Sequence, residues 1–92
     1  AFVMVGLHNQ TESDLVAFEA QVKEWPLVRE SYMVSGEVDF IMRCTAKDLE
    51  TFQNFIIRDV TSTKNVDHVR TALTIRRIKD EPNVPIDKPE YF

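Results

Sequence analysis

Residues 30–45 contain the side chains best suited to binding a small polar molecule. Two runs rich in β-branched and aromatic residues meet there at Ser35, Gly36 and Glu37, which predicts a hairpin. Gly36 is one of only 2 glycines in the chain, and a turn between two such runs is where a positive φ angle is needed. Glu37 and Asp39 stand two residues apart, so within a strand their carboxylates would share one face. An apolar strand needs no acid, so Asp39 is the first candidate for chemistry.

Two interpretations of these residues stay open on the sequence alone. Asp39 either contacts a ligand or stabilises the turn by accepting hydrogen bonds from nearby N–H groups, as aspartate often does. Gly36 serves either interpretation, because both need the same backbone geometry.

The composition excludes several classes of function. The chain has 92 residues, of which 43% are hydrophobic and 28% charged, and a net charge of −4. These values are typical of one soluble domain with a single modest core. No run of Lys or Arg suggests a phosphate-binding stripe, so we do not expect this chain to bind nucleic acid directly. No apolar run approaches membrane-spanning length.

Reactive and metal-binding side chains are few and scattered. Cys44 is the only cysteine, which excludes an internal disulfide and fits a reducing cytoplasm. It lies in an apolar alternation with nothing adjacent to lower its pKa, so we do not expect a nucleophile. His8 and His68 have no ligand spacing around them. The sequence therefore predicts neither an enzyme nor a metal or cofactor site.

The hydrophobic periodicity predicts the element order β-α-β-β-α-β. Alternating or continuous apolar runs predict strands at Phe2–Leu7, Leu27–Ser35, Val38–Thr45 and Val66–Ile78. Spacings of three and four predict a helix between the first two strands, capped at Thr11 or Ser13, and a second helix after the third strand, capped at Thr45 or Asp48. The apolar face of the second helix extends to Val60.

This order is that of an α+β, ferredoxin-like βαββαβ sandwich with an antiparallel sheet and both helices on one face. We expect the domain to cover residues 1–79 and an extended arm, containing Pro82, Pro85 and Pro89, to cover 80–92. Both faces of the first strand are apolar. A bare apolar sheet face is unusual for a monomer, so we expect the sheet to pack against a second copy of the chain.

The segment Val34–Phe40 reads Val-Ser-Gly-Glu-Val-Asp-Phe and resembles the V-x-G-x-x-D-(Y/F) centre of the C-terminal effector domain of Lrp/AsnC transcription regulators. The Asp48-Leu49 helix start and the last strand, from Val69 to Lys79, are also similar to that family. The similarity covers most of the chain, from Phe2 to Ile86. Two places depart from the common pattern: Glu37 and Val38 replace an Asp or Asn and an aromatic, and Thr-Lys-Asn replaces Leu-Pro-Gly before Val66.

The resemblance implies a RAM domain, which is an αβ sandwich that dimerises through its sheet and often assembles into octamers or larger rings. It implies an amino-acid effector bound in a cleft between dimers. It also implies a helix-turn-helix DNA-binding domain upstream, absent from these residues, unless the protein is a stand-alone RAM protein.

The family pattern places the turn and two residues of the fourth strand near the effector. A zwitterion would find an acceptor for its ammonium group in Asp39, and donors for its carboxylate in the N–H groups around Gly36 and the hydroxyl of Thr71. The predicted effector-binding residues are Ser35, Gly36, Glu37, Val38, Asp39, Thr71 and Ala72.

Several rival functions share the topology. An RNA-recognition module would need a basic and aromatic signature in its third strand, which is missing here. A dimeric αβ-barrel enzyme would need a nucleophile, a base and an orienting group. An ACT-like amino-acid sensor is the nearest alternative, although its effector usually lies at a glycine-containing first turn, and residues 8–11 contain no glycine. A purely structural oligomerisation module also stays open.

Overall fold

Strand β1 (Phe2–Leu7) lies in the middle of a four-stranded antiparallel sheet in the computed structural model of the chain, which describes residues 1–81. Its neighbours are β3 (Phe40–Cys44) on one side and β4 (Val66–Ala72) on the other, and β2 (Val28–Met33) pairs with the outer side of β3. The predicted βαββαβ order is confirmed, and the first and third strands lie in the centre of the sheet.

Both helices begin at side-chain caps. Thr11 and Asp14 form a reciprocal capping box at the start of α1 (Glu12–Lys23). The Asp48 carboxylate accepts from the Thr51 N–H at 2.7 Å at the start of α2 (Leu49–Phe55), and hydrogen bonding by Thr51 lowers the pKa of Asp48. The second helix reaches Val60 as expected, but its last five residues, Ile56–Val60, form a π-helical turn. Periodicity alone could not reveal that change of hydrogen-bond pattern.

The core lies between the two helices and one face of the sheet, so the predicted single helix-covered face is confirmed. It comprises alternate residues of β1 and β3 and the inner residues of the helical segments: Val3, Val5, Leu7, Phe18, Val22, Trp25, Phe40, Met42, Cys44, Phe52, Phe55 and Val60. Phe18 and Trp25 meet edge to face with ring centroids 5.9 Å apart. Burial raises the pKa of the Cys44 thiol.

The first strand has its predicted bounds, but the second, third and fourth strands are shorter than predicted. The last strand ends at Ala72 and not at Ile78. Ala72 pairs with Phe2, which is the first residue of β1, so the residues after Ala72 have no residue of β1 to pair with. The second and third strands are shorter than predicted, so Val34–Asp39 is a six-residue connection between them. Of the predicted arm at 80–92, all but the first two residues lie outside the described part of the chain.

The face of the sheet away from the helices is only partly apolar. Phe2 is 41% exposed and Tyr32 55% exposed, while Met4 and Ile41 between them are half-buried. An Arg43–Glu30 ion pair borders this apolar strip. Within residues 1–81, neither helix has the length and apolarity that crossing a membrane requires.

Candidate functional site at the hairpin

The hairpin turn has the backbone that its glycine predicts. Gly36 has φ +115, a conformation that other residues rarely adopt. A Cβ atom at this position would meet nothing within 4 Å. Gly36 is therefore needed for its dihedral angle, while the space beside it is open.

Asp39 joins the hairpin to the central strand through three hydrogen bonds. Its backbone N–H donates to the Val5 carbonyl at 2.9 Å, and its carbonyl accepts from the Val34 N–H at 3.0 Å. Its side-chain Oδ2 accepts from the Leu7 N–H at 2.7 Å. One carboxylate oxygen therefore has a structural task, as in the turn-stabilising interpretation, and Oδ1 makes no hydrogen bond to residues 1–81.

Glu37 does not share a strand face with Asp39, contrary to the simplest sequence prediction. Both acids lie in the connection, because β3 begins only at Phe40. Glu37 is exposed, as are Ser35 and Gly36, whereas Val38 and Asp39 are half-buried. The turn thus presents one carboxylate outward and one against the end of β1.

Donors are also available at this turn. Within residues 1–81, the backbone N–H groups of Ser35, Gly36 and Glu37 make no hydrogen bond to another residue. Exposed N–H groups in a turn can donate to a carboxylate, and the Asp39 carboxylate can accept from an ammonium group. The turn therefore offers both halves of the chemistry that a zwitterion needs.

Thr71 and Ala72 lie away from the turn within the protomer. Thr71 pairs with Val3 and Ala72 with Phe2, whereas the residue after Asp39 pairs with Val5. The turn and the Thr71–Ala72 pair are thus separated by roughly 10 Å along the strands. They are separated by roughly another 10 Å across the sheet, because β1 lies between β3 and β4. One amino-acid-sized molecule cannot contact both groups in a single protomer.

Sequence reasoning missed a polar cluster on the open face of the sheet. Glu30 accepts from the Tyr32 hydroxyl and from Arg43 Nε, the latter at 2.6 Å. The hydrogen bond from Tyr32, followed by that from Arg43, lowers the pKa of Glu30. The i, i+2 spacing of Glu30 and Tyr32 was a usable signal, but the position of Arg43 beside them depends on the register of two strands.

The two histidines, distant in sequence, meet around one acid. Asp67 lies 3.4 Å from Nδ1 of His8 and 3.4 Å from Nδ1 of His68. The His68 ring also lies against Gly6, where a Cβ atom would approach it to 2.1 Å. In the part of the chain described, no group of three or more His, Cys, Asp or Glu side chains is arranged to hold a metal ion.

The chain is similar to known proteins over nearly its whole length. The profile described as the Lrp/AsnC ligand binding domain matches residues 1–84. A leucine-responsive regulatory protein of Rhizobium meliloti (strain 1021) is 55% identical over 86 residues, which are 94% of this chain and 55% of that protein. The chain thus spans about half the length of the curated relatives it matches.

Solved structures share the fold. A Neisseria meningitidis transcriptional regulator, crystallised as a complex with L-Met, has a TM-score of 0.82 at 22% identity over 94% of this chain and 55% of that one. A protein from Thermus thermophilus has a TM-score of 0.74 at 24% identity over 86% of this chain and 95% of that one. The fold therefore occurs both as half of a longer chain and as nearly a whole one.

Proposed function

Because this chain belongs to the Lrp/AsnC ligand-binding domain family, we propose that it is the effector-sensing and oligomerisation domain of a transcription regulator. The match of the family profile over residues 1–84 is the observation that carries the proposal. The ligand is a small amino acid, and its binding tunes DNA binding by a helix-turn-helix domain upstream of these residues. The regulator acts in the cytoplasm, and no catalytic step is part of its function.

Leucine is the first effector to test. The relative that is 55% identical is named a leucine-responsive regulatory protein, and methionine is the second choice because of the L-Met complex of the Neisseria protein. Both are zwitterions with an apolar side chain. The Asp39 carboxylate would bind the ammonium group, and the free N–H groups of residues 35–37 would bind the carboxylate.

The effector site is shared between subunits. The separation of the turn from Thr71 and Ala72 within one protomer supports this, because only a second copy can bring the two groups to one ligand. The exposed Phe2 and Tyr32 on the open face support dimerisation through the sheet. Assembly of dimers into an octamer or a larger ring would then create the interfaces between dimers in which the effector binds.

The effector would act by linkage. A ligand bound between dimers shifts the assembly only by its differential affinity for the two states. A change in the number of assembled subunits would change how many upstream DNA-binding domains can bind DNA together. This is how a site on a domain without a basic surface can regulate DNA binding.

A thermal-shift screen of the twenty amino acids, followed by size-exclusion chromatography with each hit, tests the proposal. We expect leucine to raise the melting temperature and to change the elution volume. The Asp39→Asn variant keeps an oxygen that accepts from Leu7 but loses the charge, so it should fold normally and lose the response. Glu50→Gln, which removes an exposed carboxylate from α2, is the matched control. A response that Asp39→Asn retains would exclude the proposed role of Asp39.

The alternative is an ACT-like or stand-alone amino-acid-binding module that regulates metabolism without DNA. The Thermus thermophilus protein favours it, since the matched fold covers 95% of that chain. Expression of the full-length gene product and a DNA-binding measurement on its own promoter region distinguish the two. Effector binding without any DNA binding would favour the alternative.

A further inference from the structure

A cleft on the helix side of the molecule lies apart from the hairpin. It has a volume of about 890 Å³ and opens between α1 and the segment that follows α2. Ala17 and Gln21 of α1 line one wall, and Arg58, Thr63 and Lys64 line the other. Its size is within the range of small-molecule pockets. No residue of the Val34–Asp39 connection lines it.

Two exposed cations line this cleft. Arg58 and Lys64 line it, and neither forms an ion pair with another residue of 1–81. Asp14, which also lines the cleft, accepts hydrogen bonds from the N–H and hydroxyl of Thr11 in the capping box. Asp59 is the remaining acid in the wall. The groups left for a ligand are therefore two cations, the Asp59 carboxylate and Oδ1 of Asp14, which makes no hydrogen bond within residues 1–81.

The backbone of the cleft wall is unusual in two places. Arg58 belongs to the π-helical turn Ile56–Val60, a conformation that is rare and often found at functional sites. Asn65 has φ 75 and is the only residue other than glycine with a positive φ angle in the described chain. Such conformations cost free energy and persist where the surroundings hold them in place.

Asn65 is held by hydrogen bonds to the opposite loop. Its side chain accepts from the Asn9 N–H at 2.9 Å and donates to the Asn9 carbonyl at 2.8 Å. Its carbonyl accepts from the His8 N–H at 2.9 Å. These bonds hold the backbone next to Lys64 at the edge of the cleft, and a wall whose backbone is already ordered lowers the cost of binding.

The floor of the cleft is aromatic. Phe18 and Trp25 both line it while belonging to the core. Phe18 is 4% and Trp25 6% exposed, so the parts of the two rings that line the cleft form a small apolar surface. A ligand that contacts both the cations and the aromatic rings has a carboxylate at one end and an apolar body at the other.

We propose that this cleft is a second binding site, for a small carboxylate with an apolar body, separate from the site at the hairpin. Arg58 and Lys64 bind the carboxylate, and the apolar body lies against Phe18 and Trp25. Amino acids and the matching acids without an amino group share this chemistry. Asp59 distinguishes them, since only the amino acid offers it an ammonium group.

The emission of Trp25, the only tryptophan of the chain, reports directly on this cleft. Titration with L-leucine and with 4-methylpentanoate, at constant ionic strength, should give a saturable change in emission for at least one of them. The double variant Arg58→Gln/Lys64→Gln should raise the dissociation constant by roughly tenfold or more, because each cation supplies charge-assisted hydrogen bonds. Lys47→Gln, which removes an exposed cation outside the cleft, should leave it unchanged.

Three outcomes overturn the proposal. The first is that neither compound gives a saturable change in Trp25 emission. The second is that the double variant binds with the same affinity as the wild type. The third is a response that Asp39→Asn abolishes but the double variant retains. The last would assign the signal to the hairpin site. A response that survives in Asp39→Asn and fails in the double variant supports the second site whether or not the hairpin binds an effector.

Discussion

The two faces of the sheet can be compared along a single strand, β3. On the face under the helices, Phe40, Met42 and Cys44 are 2%, 0% and 2% exposed. Between them, Ile41 and Arg43 point to the other face and are only half-buried. The covered face is specified by packing inside the protomer, whereas the open face combines an apolar strip with an ion pair. The residues of the open face are less buried within the protomer. Substitutions on the two faces should therefore change the free energy of unfolding by different amounts.

The largest difference is expected at Met42. Met42→Ala removes a fully buried side chain and leaves a cavity, so it should lower the free energy of unfolding by about 2–5 kcal/mol. Ile41→Ala, one residue away on the open face, should cost clearly less. Urea unfolding followed by circular dichroism measures both. Equal losses would mean that the open face is as tightly packed as the covered one.

The next effect is expected at Asp39, which contacts both the hairpin and β1. Asp39→Ala leaves the Leu7 N–H without its acceptor and should lower the free energy of unfolding by about 1–3 kcal/mol. Asp39→Asn retains an oxygen acceptor and should lose much less. If both variants unfold at the same urea concentration as the wild type, the hydrogen bond to Leu7 carries no stability.

A smaller effect, seen in association and not in folding, is expected at Phe2. Phe2→Ser changes an exposed residue of the open face, so the unfolding of a dilute sample should change little. If the open face is the dimer interface, the dissociation constant of the dimer should rise by roughly tenfold. Val16→Ser, which changes an exposed apolar residue of α1, is the control in analytical ultracentrifugation. Equal dissociation constants for the two variants would exclude the open face as the interface.

The smallest effect is the pH dependence from the open-face cluster. The pKa of Glu30 is lower in the folded chain than its ordinary value of 4.5, first through Tyr32 and then through Arg43. The stabilisation is therefore present above pH 4.5 and is lost as the pH falls through the folded pKa. Glu30→Gln should flatten this part of the stability profile. Because the group is exposed, the difference should be small and should shrink further in high salt.

Much of the fold followed from local pattern. That one face of the sheet is covered by both helices was predictable from the βαββαβ order, whereas the buried face of β1 was not, because both of its faces are apolar. The caps at Thr11 and Asp48 were predictable because their side chains act on backbone groups three residues away. The turn at Gly36 was predictable because few other residues adopt its φ angle.

The site was predictable only in part. Sequence identified the turn and Asp39, but not that Oδ2 of Asp39 accepts from Leu7, since that bond joins residues 32 apart. The relation of Thr71 to the turn was also out of reach, because it depends on the register of β4 against β1. Whether these residues form an effector site stays a prediction.

The sequence by itself determined the order of the elements, the starts of the helices, and the places where the chain turns, because these depend on side chains within a few residues of one another. The tertiary structure alone decided where β4 ends, which side chains meet across strands, and that Arg58, Lys64 and Trp25 surround one cleft. Such features depend on residues far apart in the chain, and their positions follow only when strand register and helix packing are known.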